Sequence, residues 1–317
     1  MSTDTTAALA AFCAHISTRD LSPLWERKAR LVPGSDCVPA VWRYAELRPL
    51  LAQSAELISK RQADRRVLVM ENPSLRGSSF ITHALYAGLQ IILPGEVAPS
   101  HRHTPSALRF VVEGEGAYTA VAGERIPMRP GDFVVTPPWA WHDHGNLGSG
   151  PVVWLDGLDT PFAQLFGAHF RENHPQESHP VVEAPDSALI FRFEATRATL
   201  HAMSTAPPDP VHGHLLHYRH PATGGPVFLT MSARMQLLPK GFRGQACRAT
   251  DGTVYHLAQG RCRVEMGGRV HSLQPHDSFV VPPWEPWRFE ADEDCFVFSF
   301  SDRAAQEALG YWREERL

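Results

Sequence analysis

Two segments, GEVAPSHRH at residues 95–103 and GDFVVTPPWAWHDHGN at residues 131–146, decide the fold of this chain. Residues two apart in a β-strand point to the same face, so His101 and His103 can converge on one point. In the second segment a glycine and a proline punctuate another strand, and His142 follows as a third imidazole. The pattern predicts a mononuclear metal site with open coordination positions. Imidazoles suit iron, zinc, copper or nickel without choosing among them.

The spacing of these histidines resembles both motifs of the cupin superfamily, small β-barrels with a metal in the lumen. Two positions depart from that pattern: Ala107 and Leu108 stand where many cupins place a glutamate, and Trp139 replaces a glycine. A site with three histidines and no carboxylate is therefore predicted. Short strands separated by Gly-rich turns, as in residues 107–132, are typical of an antiparallel barrel.

The second half of the chain repeats the first at an offset of about 146 residues. Residues 254–288 align with residues 108–142, with one compensated single-residue shift. In this register the three histidines His101, His103 and His142 face, in turn, Cys247, Ala249 and Arg288. Because none of these is a histidine, the second barrel is predicted to be metal-free.

The predicted fold is all-β-dominated: a bicupin of two antiparallel jelly-roll barrels with an N-terminal helical arm and a short C-terminal helix. Residues 1–64 are expected to form the arm and an amphipathic support helix, 65–170 the metal-binding barrel, 171–225 a polar, Pro-rich connection, and 226–317 the second barrel and a helix from residue 303 onward. The histidines from His201 to His220 lie among Pro and Gly turns, which favours a solvated or interface loop over a second metal site.

Composition narrows the class of protein. A formal charge of −4 with no basic run excludes a nucleic-acid footprint, so small molecules are the expected partners. No apolar run approaches the roughly eighteen residues of a membrane span, and the first residues lack the positive region of a signal peptide, so a cytoplasmic protein is expected. The five cysteines form no CxxC pair and are expected to be free thiols.

The sequence around the histidines resembles the gentisate 1,2-dioxygenase family. The resemblance covers residues 81–146 and continues through PVVWLDGLD at residues 151–159. This bicupin family also contains salicylate and 1-hydroxy-2-naphthoate dioxygenases. The resemblance continues along nearly the whole chain in LSPLWE, AVWRYAELRPLL, RRVLVMENPSLRG, RHPATGGP, MQLLPKGFR and FSFSDRAAQEALG. It implies one Fe(II) per chain in the first barrel, O₂ as co-substrate, and opening of gentisate (2,5-dihydroxybenzoate) to maleylpyruvate between the carboxylated and adjacent hydroxylated carbons. It also implies a homotetramer.

The same resemblance implies substrate-binding residues. Arg109 lies at the family's substrate-carboxylate arginine, and Arg65 matches another arginine near the pocket; solvated arginines are the alternative. Tyr86 and Gln90 are four apart on one strand face and would line the ring pocket, unless they are ordinary barrel core. Gentisate enzymes carry tyrosine at the position of Tyr86, where the salicylate-cleaving relative carries tryptophan, so the residue favours the dihydroxylated substrate.

Two further residues are candidate catalytic groups. His144 follows His142 by two and would share its lumen-facing side, where its pKa suits proton exchange with the substrate hydroxyl; a supporting position behind the metal ligands is the alternative. Asp156 would orient His144 or meet the distal hydroxyl, although a strand-end aspartate often forms a turn. Other readings of the chain are a dioxygenase for salicylate, a substituted gentisate or 1-hydroxy-2-naphthoate, a non-catalytic sensor of aromatic acids, and a zinc or manganese isomerase.

Overall fold

The protein is described here from a computed structural model that covers residues 3–59 and 62–317. Residues 1–2 and 60–61 of the predicted arm and support region lie outside the described residues. The chain separates into two compact units, residues 1–33 and residues 34–317. The first unit contains helix α1 (Thr3–Ser17) and a 3₁₀ turn (Leu24–Glu26), joined by a contact from the Cys13 thiol to the Glu26 carboxylate. An N-terminal helix is therefore confirmed.

The second unit begins with strand β1 (Ala40–Trp42) and helix α2 (Tyr44–Leu57), which confirms the predicted amphipathic helix. The strands of the first barrel follow: β2 (Arg66–Val69), β3 (Tyr86–Ile92), β4 (Val97–His103), β5 (Ala107–Glu113), β6 (Ala117–Val121), β7 (Glu124–Pro127), β8 (Phe133–Thr136), β9 (His142–Asn146) and β10 (Val152–Leu158). The connection contains α3 (Thr160–Leu165), β11 (Arg171–Asn173), β12 (Val182–Glu183), β13 (Ile190–Phe191), α4 (Phe193–Met203) and β14 (His214–His217). The second barrel comprises β15 (Ser232–Leu238), β16 (Cys247–Ala249), β17 (Thr253–Gln259), β18 (Cys262–Met266), β19 (Arg269–Leu273), β20 (Ser278–Val281), β21 (Trp287–Ala291), β22 (Cys295–Ser301), α5 (Arg303–Ala308) and β23 (Glu314–Arg316).

Each barrel is a pair of facing sheets. The sheets of the first barrel have the strand orders β13-β8-β5-β10-β3-β2 and β11-β4-β9-β6-β7-β12, and those of the second are β1-β20-β17-β22-β15-β14 and β19-β18-β21-β16-β23. Nearly all pairs are antiparallel, as predicted for a jelly roll. The two-barrel fold is thus confirmed.

The barrels pack through their β5- and β22-containing sheets. Phe110 of the first barrel stacks on Phe298 of the second, with ring centroids 4.4 Å apart, and Phe133 lies 5.3 Å from the same ring. Strands in these sheets are buried on both faces, one toward the lumen and one toward the other barrel. Nearly every residue of β5, β15 and β22 is therefore buried, whichever face it occupies.

Several segments contribute more structure than their sequences indicated. Strand β1, from the region predicted to be the arm and support helix, pairs with β20 of the second barrel. The connection supplies β11, β12 and β13 to the first barrel and β14 to the second. His212 and His214 are buried and His214 begins β14, whereas a solvated or interface loop is predicted for His201 to His220. Single short edge strands carry little hydrophobic periodicity, so no pattern in these segments predicts them.

The helix predicted from residue 303 onward is shorter than expected. It ends at Ala308, and Gly310 takes a φ of 74°, a left-handed conformation that stops a helix. Residues 314–316 then form β23, which pairs with β16. Among the described residues, no helix has the length and apolar character required to cross a membrane.

Candidate metal centre and substrate cavity

The three predicted ligands converge in the lumen of the first barrel. His101 and His142 are opposite each other in the β4–β9 ladder, and a register shift between Ala98 and His101 precedes this pair. The ring centroids of His101 and His142 are 4.2 Å apart, and those of His103 and His142 are 4.7 Å apart. Their candidate ligand atoms all lie within 4.8 Å of one another. All three side chains are buried.

The hydrogen bonds of these histidines prepare them for a metal. Nδ1 of His101 donates to the carbonyl oxygen of Pro99 at 2.9 Å, Nδ1 of His103 to that of Pro105 at 2.8 Å, and Nδ1 of His142 to that of Ala140 at 2.9 Å. This places the proton on Nδ1 and leaves the Nε2 lone pair free. Within the described residues the three Nε2 atoms are buried and have no hydrogen-bond partner.

Burial also keeps the ligands neutral. It lowers the pKa of His101 to about 3 and the pKa of His103 to about 4, and it holds the pKa of His142 well below its ordinary value. A neutral imidazole with a buried, unpaired Nε2 is the form that binds a transition metal. The three side chains therefore fit a metal ion.

Four predicted substrate residues share one face of neighbouring strands. In the ladder β3–β10–β5, Asp156 is paired with Gly88 on one side and with Arg109 on the other. Tyr86 and Gln90 are two residues to either side of Gly88, so alternation directs both toward the same lumen. Because these side chains come from three strands, only the register brings them together.

These residues line a cavity of about 520 Å³ that reaches the histidine cluster at His103. Arg65, Tyr86, Gln90, Arg109 and Asp156 all contribute to its wall. The volume lies within the range of small-molecule sites. Three arginines and two aspartates line the cavity, which leaves one excess positive charge if all are ionised.

Arg109 is a buried cation held by two contacts. Its Nε lies 3.3 Å from Oδ1 of Asp156, and its Nη1 donates to Oγ1 of Thr136 at 2.8 Å. The approach of Nε to Asp156 is an ion-pair contact only, since Nε is buried and makes no hydrogen bond to any described residue. Burial lowers the pKa of Arg109 to about 10, so the guanidinium remains charged at neutral pH. The alternative of a solvated arginine is wrong for Arg109, whose side chain is only 2% exposed.

Asp156 lies within β10 and does not form a turn. Nε1 of Trp154 donates to its Oδ1 at 3.1 Å. Burial raises the pKa of Asp156, and the neighbouring Arg109 and Arg65 oppose this shift. Arg65 is partly buried at the cavity wall and makes no ion pair within the described residues. Burial lowers its pKa.

His144 is fully buried beside His142, with ring centroids 5.6 Å apart. Its Nδ1 lies 2.8 Å from Oγ1 of Thr119, and its Nε2 is buried without a partner among the described residues. Burial, followed by the charge of Arg109, holds the pKa of His144 well below its ordinary value. The expectation of a pKa suited to proton exchange is therefore wrong for this buried imidazole. The group contacted by His144 is Thr119 and not Asp156, contrary to the suggested orienting role of Asp156.

Sequence reasoning missed the residues that hold the predicted ones. Thr136 supports Arg109, Thr119 supports His144, and Trp154 supports Asp156. All three lie in strands of the first barrel. The two-residue period of a strand predicts which face each side chain is on, but not which residue it contacts. Arg171, at the cavity mouth, is paired with Asp64 at 2.8 Å.

Among its described residues the second barrel has no equivalent cluster of metal-ligating side chains, but one assigned counterpart is wrong. Cys247 is paired with Trp287 in the second barrel as His101 is with His142 in the first. The counterpart of His142 is therefore Trp287, and Arg288 lies one position further along the strand with its side chain 44% exposed. The single-residue shift falls before this point and could not be placed from the sequence. Trp287 packs against Tyr255 and Phe289 in the lumen.

Comparison with known proteins agrees with this geometry. A family model described as a cupin domain matches residues 88–157. The chain is 43% identical to gentisate 1,2-dioxygenase 1 of Aquipseudomonas alcaligenes, with 96% of this chain and 95% of the relative aligned. The crystal structure of salicylate 1,2-dioxygenase from Pseudaminobacter salicylatoxidans has a TM-score of 0.89 and 32% identity, and covers 98% of both chains. A structure of that enzyme with gentisate has a TM-score of 0.88 and 31% identity, and covers 99% of this chain and 94% of the other.

The resemblance seen in the sequence is thus confirmed over almost the full chain. The structure agrees with this resemblance. The first barrel has three buried histidines beside a cavity lined by three arginines and two aspartates, and the second barrel has other residues in place of the histidines. The chain belongs to the gentisate 1,2-dioxygenase family of bicupins.

Proposed function

We propose that this protein is an Fe(II)-dependent dioxygenase that opens gentisate to maleylpyruvate between the carboxylated and adjacent hydroxylated carbons. One observation carries the proposal. Among the described residues, three buried histidine Nε2 atoms have no hydrogen-bond partner, and the cavity beside them is lined by Arg65 and Arg109. A relative at 43% identity is named for the same reaction class. One Fe(II) per chain, held by His101, His103 and His142, would supply the redox chemistry that triplet O₂ needs to react with a closed-shell ring.

The arginines suit the carboxylate of a monoanionic aromatic acid. Arg109 is held by Asp156 and Thr136, so its guanidinium is already oriented when a substrate enters. Arg65 has no ion pair among the described residues and can turn toward the same carboxylate. A charge-assisted hydrogen bond in such a buried site is worth about 1.5 to 3 kcal/mol.

The remaining cavity residues bind the ring and its hydroxyl groups. Tyr86 and Gln90 line the cavity next to Asp156. Asp156 can accept a hydrogen bond from the substrate hydroxyl that lies far from the substrate carboxylate. His144 is neutral, and its unpartnered Nε2 can exchange a hydrogen bond with a substrate oxygen near the histidine cluster. Because its pKa is depressed, His144 acts in this scheme as a neutral hydrogen-bonding group and not as a resting imidazolium.

O₂ uptake and metal analysis test the proposal. Purified protein loaded with Fe(II) should consume O₂ with gentisate far faster than with salicylate or 1-hydroxy-2-naphthoate, and should release a ring-opened product. Equal rates with gentisate and salicylate would contradict the substrate assignment. Bound Fe(II) with no O₂ uptake on any hydroxybenzoate would support a non-catalytic sensor instead. From the family resemblance we also propose that the protein is a cytoplasmic homotetramer. Light scattering coupled to gel filtration would test the number of subunits.

A further inference from the structure

Arg102 lies between two candidate metal ligands and points away from the metal. Strand alternation directs His101 and His103 into the lumen, so Arg102 is on the outer face of β4. Its guanidinium carbon lies 4.4 Å from the ring centroid of Trp139 and 4.5 Å from that of Trp141. The side chain of Arg102 is 27% exposed.

A carboxylate completes this arrangement. Glu172 of β11 is opposite Arg102 in the β4–β11 ladder, and one of its oxygens accepts from Nε at 3.0 Å and from Nη2 at 2.7 Å. We use the term arginine clamp for Arg102 with Trp139, Trp141 and Glu172. The clamp joins the strand that carries His101 and His103 to the loop that leads directly into His142.

Trp139 has a backbone conformation that disfavours a bulky side chain. Trp139 has a φ of 62°, in the left-handed region, at the position where the cupin pattern has glycine. A bulky residue is strained there, and glycine would not be. The amide of Trp139 donates to the carbonyl oxygen of His103 at 2.8 Å, so the strained residue is also tied to a ligand.

The second barrel contains a related arrangement with one tryptophan ring and without the histidines. Arg248 lies between Cys247 and Ala249, its guanidinium carbon is 4.8 Å from the ring centroid of Trp284, and its Nε donates to Glu315 at 2.8 Å. Trp284 also has a left-handed φ, 66°. Substitution of Arg248 therefore serves as a control. It removes a similar arginine–tryptophan contact and should lower stability, but it does not adjoin the three histidines.

We propose that Arg102 is a positioning residue for the metal centre, which fixes the segment of His101 and His103 against the segment of His142 through the two tryptophan rings. Glu172 orients the guanidinium, but its side chain is 49% exposed and it contributes less than the rings. The proposal rests on metal binding at the three histidines, which is part of the proposed function, and is independent of which hydroxybenzoate is the substrate.

The test compares Arg102→Met with Arg248→Met as the matched control. The dissociation constant for Co(II), by competition with a chelator, should rise about tenfold or more in Arg102→Met, the size of effect seen when groups that hold metal ligands are removed. It should change less than twofold in Arg248→Met. The visible absorption of bound Co(II) should shift only in Arg102→Met. The unfolding midpoints of the two metal-free variants should fall by similar amounts.

A conservative variant covers the case in which Arg102→Met does not fold. Arg102→Lys keeps a cation between the rings and should bind Co(II) more tightly than Arg102→Met, or should fold where Arg102→Met does not and bind Co(II) within a few-fold of the wild type. Equal Co(II) dissociation constants for the wild type, Arg102→Met and Arg248→Met, or equal losses in the two methionine variants, would overturn the proposal. Failure of the wild type to bind Co(II) or Fe(II) would overturn the proposed function, and this proposal with it.

Discussion

Replacing Arg109 by methionine separates the substrate-binding role of this arginine from its structural one. The side chains of Arg109 and Asp156 are 2% and 8% exposed and approach to 3.3 Å. Arg109→Met leaves a buried carboxylate whose remaining hydrogen bond comes from Trp154. Removal of one partner from a buried ion pair costs about 3 to 5 kcal/mol, so the free energy of unfolding should fall by about that amount.

The same change should weaken gentisate binding. Loss of a charge-assisted hydrogen bond worth about 1.5 to 3 kcal/mol corresponds to a KM increase of about 10- to 150-fold. Arg65 remains at the cavity wall, so binding should not be abolished. KM is measured from initial rates of O₂ uptake, and the free energy of unfolding from urea denaturation.

The pH dependence of stability provides a second measure of the ion pair. Burial raises the pKa of Asp156, and Arg109 is the largest influence opposing that shift. A carboxyl whose folded-state pKa exceeds its unfolded value of about 3.9 contributes stability that is complete below that pH and is lost as pH rises through the folded-state pKa. Without Arg109 the pKa of Asp156 rises further. The free energy of unfolding of Arg109→Met should therefore fall over a wider range of pH above about 4 than that of the wild type.

The double variant Arg109→Met/Asp156→Asn decides between the two roles. Removal of both charges should restore most of the lost stability and abolish this pH dependence, because no unpaired charge stays buried. Its KM for gentisate should remain high. A double variant that recovers wild-type KM, or a single variant with unchanged KM, would refute the assignment of Arg109 to the substrate carboxylate.

Three further predictions address the metal, the specificity and the contact between barrels. His101→Ala should abolish iron binding and turnover, whereas Cys247→Ala should leave both intact by metal analysis and O₂ uptake; retention of iron in the first variant would contradict the site. Tyr86→Trp should raise the ratio of kcat/KM for salicylate to that for gentisate by about 10- to 200-fold, the range for a changed pocket contact, and an unchanged ratio would remove Tyr86 as the specificity residue. Phe298→Ala should lower the free energy of unfolding by about 3 to 5 kcal/mol because its fully buried ring stacks on Phe110, while Val270→Ala, 61% exposed, should change it by less than about 0.5 kcal/mol in the same urea titration.

The histidine cluster could be predicted from sequence because side chains in a strand alternate with a period of two residues. The spacing His-x-His is local, so its consequence does not depend on the rest of the fold. The pairing of Arg109 with Asp156 is different: they are far apart in the chain and meet only through the β5–β10 register. Thr119 and Thr136 were missed for the same reason. A sequence pattern predicts which face of a strand a side chain is on. The pairing register of neighbouring strands determines which residue lies opposite it.

The wrong counterpart of His142 has a similar cause. A single-residue shift leaves the apolar pattern of PPWEPW intact in either alignment, so Arg288 and Trp287 were equally acceptable by sequence. The ladder distinguishes them, because one step along a strand moves a side chain to the opposite face. Trp287 is buried in the lumen and Arg288 is directed outward. The large ring of Trp287 takes the lumen position that His142 has in the first barrel.

The two barrels show that the frame alone does not make the site. Gly88 and Arg234 are equivalent in the two ladders: the first is opposite Asp156, and the second is opposite Ser299. A Cβ atom at Gly88 would lie 3.0 Å from the hydroxyl of Tyr86, whereas the second barrel places a whole arginine there. The lumen cavity is about 520 Å³ in the first barrel and about 10 Å³ in the second, where Arg234 forms part of the wall. Restoring histidines alone would thus leave no room for a substrate in the second barrel, because Arg234 occupies the position that Gly88 leaves open in the first.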